Sequence, residues 1–234
     1  MGLPGRHGKI LDLSRFDAQF FHTNPKQAHV MDPQLRMLLE TSYEAIFDAG
    51  YDPDTLRKRS IGVFIANSNS ESYYAFRKDD KVDSNYLLGC ARSMFSNRIS
   101  YSLDLQAEHC RLRFPAVAEI SDRICGAVEY DGRHCVLFHT VALNEAMLAL
   151  RSGRCEAAIV GAGNLNLDPC VALNFKQMGV LSEDGKCKSF DSSGDGYVRS
   201  EIIGCMFLQK ISDARRVYTK VINVNVNTDG YKLE

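Results

Sequence analysis

Two short runs in this chain are apolar almost throughout rather than at every second position. Ile61 to Ala66 contains Ile, Val and Phe and stops at the polar Asn67-Ser68-Asn69-Ser70; Ala157 to Leu167 is continuous apart from Gly161 and Gly163. A strand with one face in water alternates between apolar and polar residues, and these do not. Such strands are buried on both faces, which calls for helices on either side of the sheet that holds them.

Segments of helical period lie between and around the two runs. Asp32-Pro33 opens the first, with Leu35, Leu38, Leu39, Tyr43, Ile46 and Phe47 on one stripe. Asp32 suits the N-cap, Pro33 the first helical position, and Gly50 the stop. A second pattern runs from Asn85 to about Tyr101, with Leu87, Leu88, Ala91 and Phe95 on its expected buried face. A third runs from Ala142 to Leu150, with Leu143, Ala146, Met147 and Leu150 at i, i+3, i+4 and i+7, and ends at Ser152-Gly153. Ile202–Ile211 and Val217–Val226 read as two further strands, and the short turn Ser212–Arg216 suits antiparallel neighbours. The first thirty residues read as irregular chain, punctuated by Gly2, Pro4, Gly5, Gly8 and Pro25. The order predicts an α/β fold, a mixed sheet layered with helices, in a single unit spanning 1–234.

Charge and cysteine usage exclude several function classes. A net charge of −1 gives no overall electrostatic reason to bind nucleic acid or an anionic membrane. The longest apolar stretches, such as Ala157–Ala162 and Ile202–Leu208, are too short to cross a bilayer. The polar, Gly-rich start does not resemble a secretory signal, so the expected compartment is the cytoplasm. The eight cysteines form no Cys-x-x-Cys pair and read as free thiols. Three of them, Cys110, Cys125 and Cys135, crowd into 107–141 together with His109, His134 and His139.

Three stretches carry more than periodicity. They are Lys26 to Glu40 (KQAHVMDPQLRMLLE), Cys187 to Glu201 (CKSFDSSGDGYVRSE) and Asn223 to Tyr231 (NVNVNTDGY). Taken singly, Asp32, Gln34 and Arg36 read as a capping turn, Phe190-Asp191 with Gly194 and Gly196 as a tight loop, and Arg199 with Glu201 as a solvated ion pair. Taken together and in this order, the stretches resemble the β-ketoacyl synthase (ketosynthase) domain of animal-type fatty acid synthases and, more distantly, that of modular polyketide synthases. The resemblance runs in register over about 1–106 and 142–234.

The resemblance implies a thiolase-like fold, of which this chain is the N-terminal half, trimmed at both ends. It implies decarboxylative condensation of acyl and malonyl thioesters, with the acyl groups carried on the phosphopantetheine of an acyl carrier protein. It further implies a homodimer with a second ketosynthase copy, no bound cofactor and no metal. By the same resemblance Asp191, Arg199 and Glu201 are positioning residues near the catalytic cavity. The family's nucleophile is a cysteine on a sharp strand-to-helix turn, where the helix N-terminus lowers the thiol pKa and backbone amides face the developing oxyanion. In register that position falls on Val136, and Cys135 stands one residue away. The stretch between Leu105 and Ala142 holds 36 residues, more than twice the family's connection, and 107–141 resembles nothing in the family. The catalytic histidines belong to His-Gly-Thr and Asn-Ile-Gly-His contexts that none of the six histidines here occupies. Within 107–141, zinc binding by His109, Cys110, His134, Cys135 and His139 lacks the usual closely spaced ligand pairs, and a nucleophilic Cys135–His139 or Cys135–His134 pair rests on adjacency alone. The expectation is therefore a condensing-enzyme chain without its own activity, with Cys135 the nearest catalytic candidate; the rival readings are a pseudoenzyme acting through protein association and a polyketide synthase fragment.

Overall fold

The side chain of Asp32 accepts a hydrogen bond from the Gln34 amide at 2.7 Å, and Pro33 follows it with a preset φ. Together they start a helix of 16 residues, Pro33–Asp48. It ends where Tyr51 N–H bonds Ile46 O and Gly50 takes a φ of 86°, the left-handed turn that glycine tolerates best. The computed structural model describes residues 2–3, 5–67, 70–73, 85–106 and 138–226. In chain order its elements are α1 (Pro25–Val30), α2 (Pro33–Asp48), a 3-10 turn (Pro53–Leu56), β1 (Ile61–Asn67), α3 (Asn85–Cys90), α4 (Met94–Ser102), α5 (Phe138–Arg151), β2 (Ala157–Asn164), α6 (Pro169–Gln177) and β3 (Ile202–Gln209).

The sheet order is β1-β2-β3. β1 and β2 run parallel, with Ile61 opposite Ala157 and Asn67 opposite Gly163. β3 returns antiparallel, with Ala157 opposite Gln209 and Asn164 opposite Ile202. The mixed sheet read from the apolar runs is present, and its period-2 geometry divides their side chains between two cores. Ile61, Ile65 and Ile159 face one side, against Leu35, Leu38, Leu39 and Ile46 of α2 and Phe95 and Ile99 of α4. Phe64, Ala66, Ala158 and Val160 face the other, against Ala142, Ala146, Ala149 and Leu150 of α5. The alanines of α5 bring its backbone close to the sheet. Gly161 leaves room for its neighbours on the face toward α2: a Cβ there would lie 2.6 Å from Ile65 Cδ1 of β1, 2.9 Å from Cys205 Sγ of β3 and 3.2 Å from Leu38 Cδ2 of α2.

Several expectations need correction. The helix read from Asn85 to Tyr101 is two helices, because Gly89 O accepts the Asp32 amide at 3.0 Å. That carbonyl is thereby committed to a neighbouring segment instead of the next turn of its own helix. Leu87 and Leu88 are consequently exposed while Phe95 is buried. Phe47 is exposed as well. The third helix starts at Phe138, earlier than Ala142, and β2 ends at Asn164. The opening segment is not wholly irregular, since it contains α1. Val217–Val226 forms no strand. It lies on the surface, reached by the Arg151 guanidinium, which donates to Ile222 O at 2.9 Å. Among the described residues no helix is long and apolar enough to cross a membrane.

Leu38 lies fully buried beneath the sheet. Leu38→Ala empties most of a side-chain site walled by the sheet on one side, and is expected to cost about 2–5 kcal/mol. A denaturant titration checks this through a lower midpoint with an unchanged slope.

Candidate functional site

In a layered α/β sheet the crevice beyond the carboxyl ends of the parallel strands is where loops from several elements converge. Here that end collects the chain after Asn67, the loop after Asn164, the entry to β3 and the N-terminus of α2. α5 connects to β2 through a turn in which Arg154 N–H bonds Ala149 O and Glu156 N–H bonds Ser60 O. It runs antiparallel to β2, so its N-terminus and the positive end of its dipole point to the same end of the sheet. Cys135 and Val136, three and two positions before Phe138 at the start of α5, lie outside the described residues.

Three buried carboxylates organise this end. Asp32 caps α2 and also accepts a short bond from the Ser70 hydroxyl, which ties the chain after β1 to the start of α2. Burial raises the Asp32 pKa, and the bonds from Ser70 and Gln34 only partly oppose it. Glu71, with a side chain 3% exposed, accepts the backbone amides of Leu167 and Asp168 and faces Arg199 at 3.8 Å. Burial raises its pKa too. Glu201, 1% exposed, accepts from Lys9 at 2.7 Å, from Ile10 N–H at 2.9 Å and from Asn166 N–H at 3.1 Å. Burial alone raises the Glu201 pKa, but these bonds outweigh it and leave the carboxyl below the ordinary range.

Arg199 and Glu201 therefore do not pair with each other. Arg199 turns to Glu71 while stacking 4.5 Å from the Phe175 ring of α6. Glu201 turns to Lys9 of the N-terminal segment, where Gly8 bridges Ser200. Asp191 joins neither. It is exposed and accepts from Ser193 N–H at 2.8 Å, closing its own turn, and this bond lowers its pKa. The neighbouring Lys188 sits between Asp195 at 2.9 Å and Asp184 at 3.5 Å. Lys9, Glu71 and Asn166 belong to the network without a signal in the sequence, because each is recruited by a segment far from it along the chain.

Each of these carboxylates accepts at least two hydrogen bonds, which suits holding loops in place more than moving protons. The buried thiols suit nucleophilic work no better. Burial pushes Cys90 up to about 12 and raises Cys205, which sits against the hydroxyls of Thr41 and Ser42. Among the described residues no cluster of His, Cys, Asp or Glu could hold a metal. A cavity of about 570 Å³ beside Phe20, Phe21, His22, Tyr43 and Arg57 includes none of the residues of this network.

Residues 3–112 and 140–214 match the family model for the β-ketoacyl synthase N-terminal domain, leaving 113–139 outside the match. The chain belongs to the β-ketoacyl synthase family. This ketosynthase chain is 46% identical to a fatty acid synthase of the goose Anser anser anser over 99% of its own length and 60% of the goose protein. It is 39% identical to a phenolphthiocerol/phthiocerol polyketide synthase of Mycobacterium tuberculosis, over 96% of the chain and 11% of that protein. Among solved structures it is similar to the ketosynthase of module 6 of the bacillaene synthase from Bacillus subtilis 168, with a TM-score of 0.67 and 27% identity over 88% of the chain and 32% of that structure. The ketosynthase chain thus spans less than two thirds of these relatives. Its thiolase-like α/β fold is the one read from the resemblance.

The sign of the Glu201 shift sets a pH dependence. A carboxyl whose pKa is lower in the folded state contributes stability above its unfolded value, about 4.3 for Glu, and loses it as pH falls through the folded value. Glu71 and Asp32, shifted upward, act in the opposite sense and destabilise near neutrality. Glu201→Gln is therefore expected to lose roughly 1–3 kcal/mol near neutral pH, the cost of withdrawing a charged partner from buried donors. The gap to the wild type should close as pH falls below about 4. Unfolding midpoints between about pH 7 and pH 3 check it.

Proposed function

We propose that this chain supplies the N-terminal half of a β-ketoacyl synthase condensing domain of the fatty acid synthase kind, and that alone it does not turn over acyl thioesters. The family reaction transfers an acyl group from the phosphopantetheine of an acyl carrier protein to a cysteine thiolate, then joins it to the carbanion left when a malonyl thioester loses CO2. The goose fatty acid synthase, at 46% identity, favours this branch over the polyketide synthases, at 39%.

The observation that carries the silent reading is the residue in register at the head of α5. It is Val136, within the stretch 113–139 that the family match omits. An isopropyl side chain has no lone pair to attack a thioester, so the dipole of α5 has no thiol to activate at that position. Cys135 is one residue away, and on a sharp turn a one-residue slip sends the side chain in another direction. Cys90 and Cys205 offer no substitute, since burial holds both as thiols. None of the six histidines lies in the sequence contexts of the family's catalytic pair. The roles left to the chain are those of a scaffold: Asp32, Glu71, Arg199 and Glu201 hold the loops around the head of α5. Its expected partners, by the same reading, are an acyl carrier protein and a second ketosynthase copy.

Incubation of the purified chain with a radiolabelled acyl thioester, or with a cysteine-directed inhibitor of condensing enzymes, tests the proposal. The expected outcome is no stoichiometric label on any cysteine. One equivalent of acyl group on Cys135 would replace this reading with a catalytic one.

A further inference from the structure

The cavity of about 570 Å³ beside Phe20 and Tyr43 takes no part in the reading above. Its volume is that of sites for small organic molecules, roughly 300–1,000 Å³. Segments far apart in the chain wall it: the turn that carries Phe20, Tyr43 of α2, Asp54 and Arg57 of the 3-10 turn and its cap, and Ser102 with Leu103 at the end of α4. The turn is held by its own bonds, with Phe20 N–H donating to Asp17 Oδ1 at 2.9 Å and Thr23 N–H to Ala18 O at 2.8 Å. Phe20 and Tyr43 meet edge to face, their centroids 5.0 Å apart and their planes at 79°. Phe20 nevertheless stays 50% exposed.

The lining favours one sign of charge. Among its described residues Asp17 and Asp54 face the single cation Arg57, and Arg57 is already engaged with Asp54 at 2.8 Å. The helix α4 ends at Ser102, so the negative end of its dipole lies at the wall. Aromatic faces attract cations, and the protein's own guanidinium groups occupy that position on Tyr51, Tyr101, Phe175 and Tyr218. Among the described residues no such group lies over Phe20 or Tyr43. Ser102 Oγ is buried without a hydrogen-bond partner among those residues, which leaves an acceptor for an N–H donor. We propose that this cavity binds a small organic cation, a protonated primary amine on an apolar body. Its ammonium group donates to the Asp17 carboxylate, and its apolar body lies on Phe20, Tyr43 and Leu103. The site is independent of the condensing-enzyme reading, since it uses neither the head of α5 nor any cysteine.

The test titrates the full chain with phenethylamine and with two probes of similar shape, neutral 2-phenylethanol and anionic 3-phenylpropionate, read by saturation-transfer NMR. The amine is expected to bind saturably and about fivefold or more tightly than the alcohol, with the carboxylate weakest. Two variants probe the wall. Asp17→Asn keeps an acceptor for Phe20 N–H but removes the charge, and Phe20→Leu keeps apolar bulk but removes the ring. Each is expected to weaken the amine about two- to fivefold, to leave the alcohol within about twofold of the wild type, and to keep the wild-type thermal melt. Glu183→Gln removes the same charge as Asp17→Asn from an exposed position outside the lining, and is expected to bind as the wild type does. Absence of saturable amine binding overturns the proposal. So does an alcohol or carboxylate that binds as tightly as the amine; a carboxylate that binds best would assign the cavity to an anion at Arg57. Wild-type amine affinity in both Asp17→Asn and Phe20→Leu, or an equal loss in Glu183→Gln, would place the amine elsewhere and overturns it as well.

Discussion

The structure depends on two parallel strands that are apolar on both faces. β1 and β2 send alternate side chains to opposite sides, and neither side can be left to water. α2 and α4 cover one side and α5 the other. Once those helices are placed, much of the remaining geometry follows. α2 is capped by Asp32 at the carboxyl end of the strands, and α5, antiparallel to β2, presents its N-terminus at the same end. The end of the sheet at which both helix N-termini sit is in this sense a by-product of covering two strands twice.

Periodicity was enough to find the elements that bury something. α2, α5 and the three strands of the sheet stand out because each has a stripe or a run that the core requires. α1 and α6 have no buried residue and so no apolar period, although Asn24-Pro25 and Asp168-Pro169 repeat the cap-and-proline signature of Asp32-Pro33. The break after α3 is invisible locally, because its cause is a hydrogen bond from Asp32, more than fifty positions earlier in the chain. Val217–Val226 shows the converse: its alternation is that of a strand, but a strand also needs a neighbour.

The polar end was legible by residue and not by partner. Arg199 and Glu201 stand out in the sequence through family resemblance, and the structure assigns them to different tasks. Arg199 joins Glu71 and Phe175, while Glu201 fastens the N-terminal segment through Lys9 and Ile10. Asp191 serves its own turn. Such pairings bring together residues separated by most of the chain, and no local pattern encodes them. Three buried carboxylates at one end of a sheet resemble acid-base machinery, yet they accept from backbone amides, the Ser70 hydroxyl and Lys9, and Glu71 faces Arg199. They fix loops, and in the proposed reading any chemistry would depend on what stands at the head of α5.

That dependence is open to one direct measurement. The rate of Cys135 alkylation by iodoacetamide, followed across pH by peptide mass spectrometry, reports whether a thiolate is stabilised beside that helix. If Val136 takes the nucleophile position, as proposed, the rate follows an ordinary cysteine, rising through about pH 8.5. A rate already on its plateau below about pH 7 would show an activated thiolate at the head of α5 and would contradict the account.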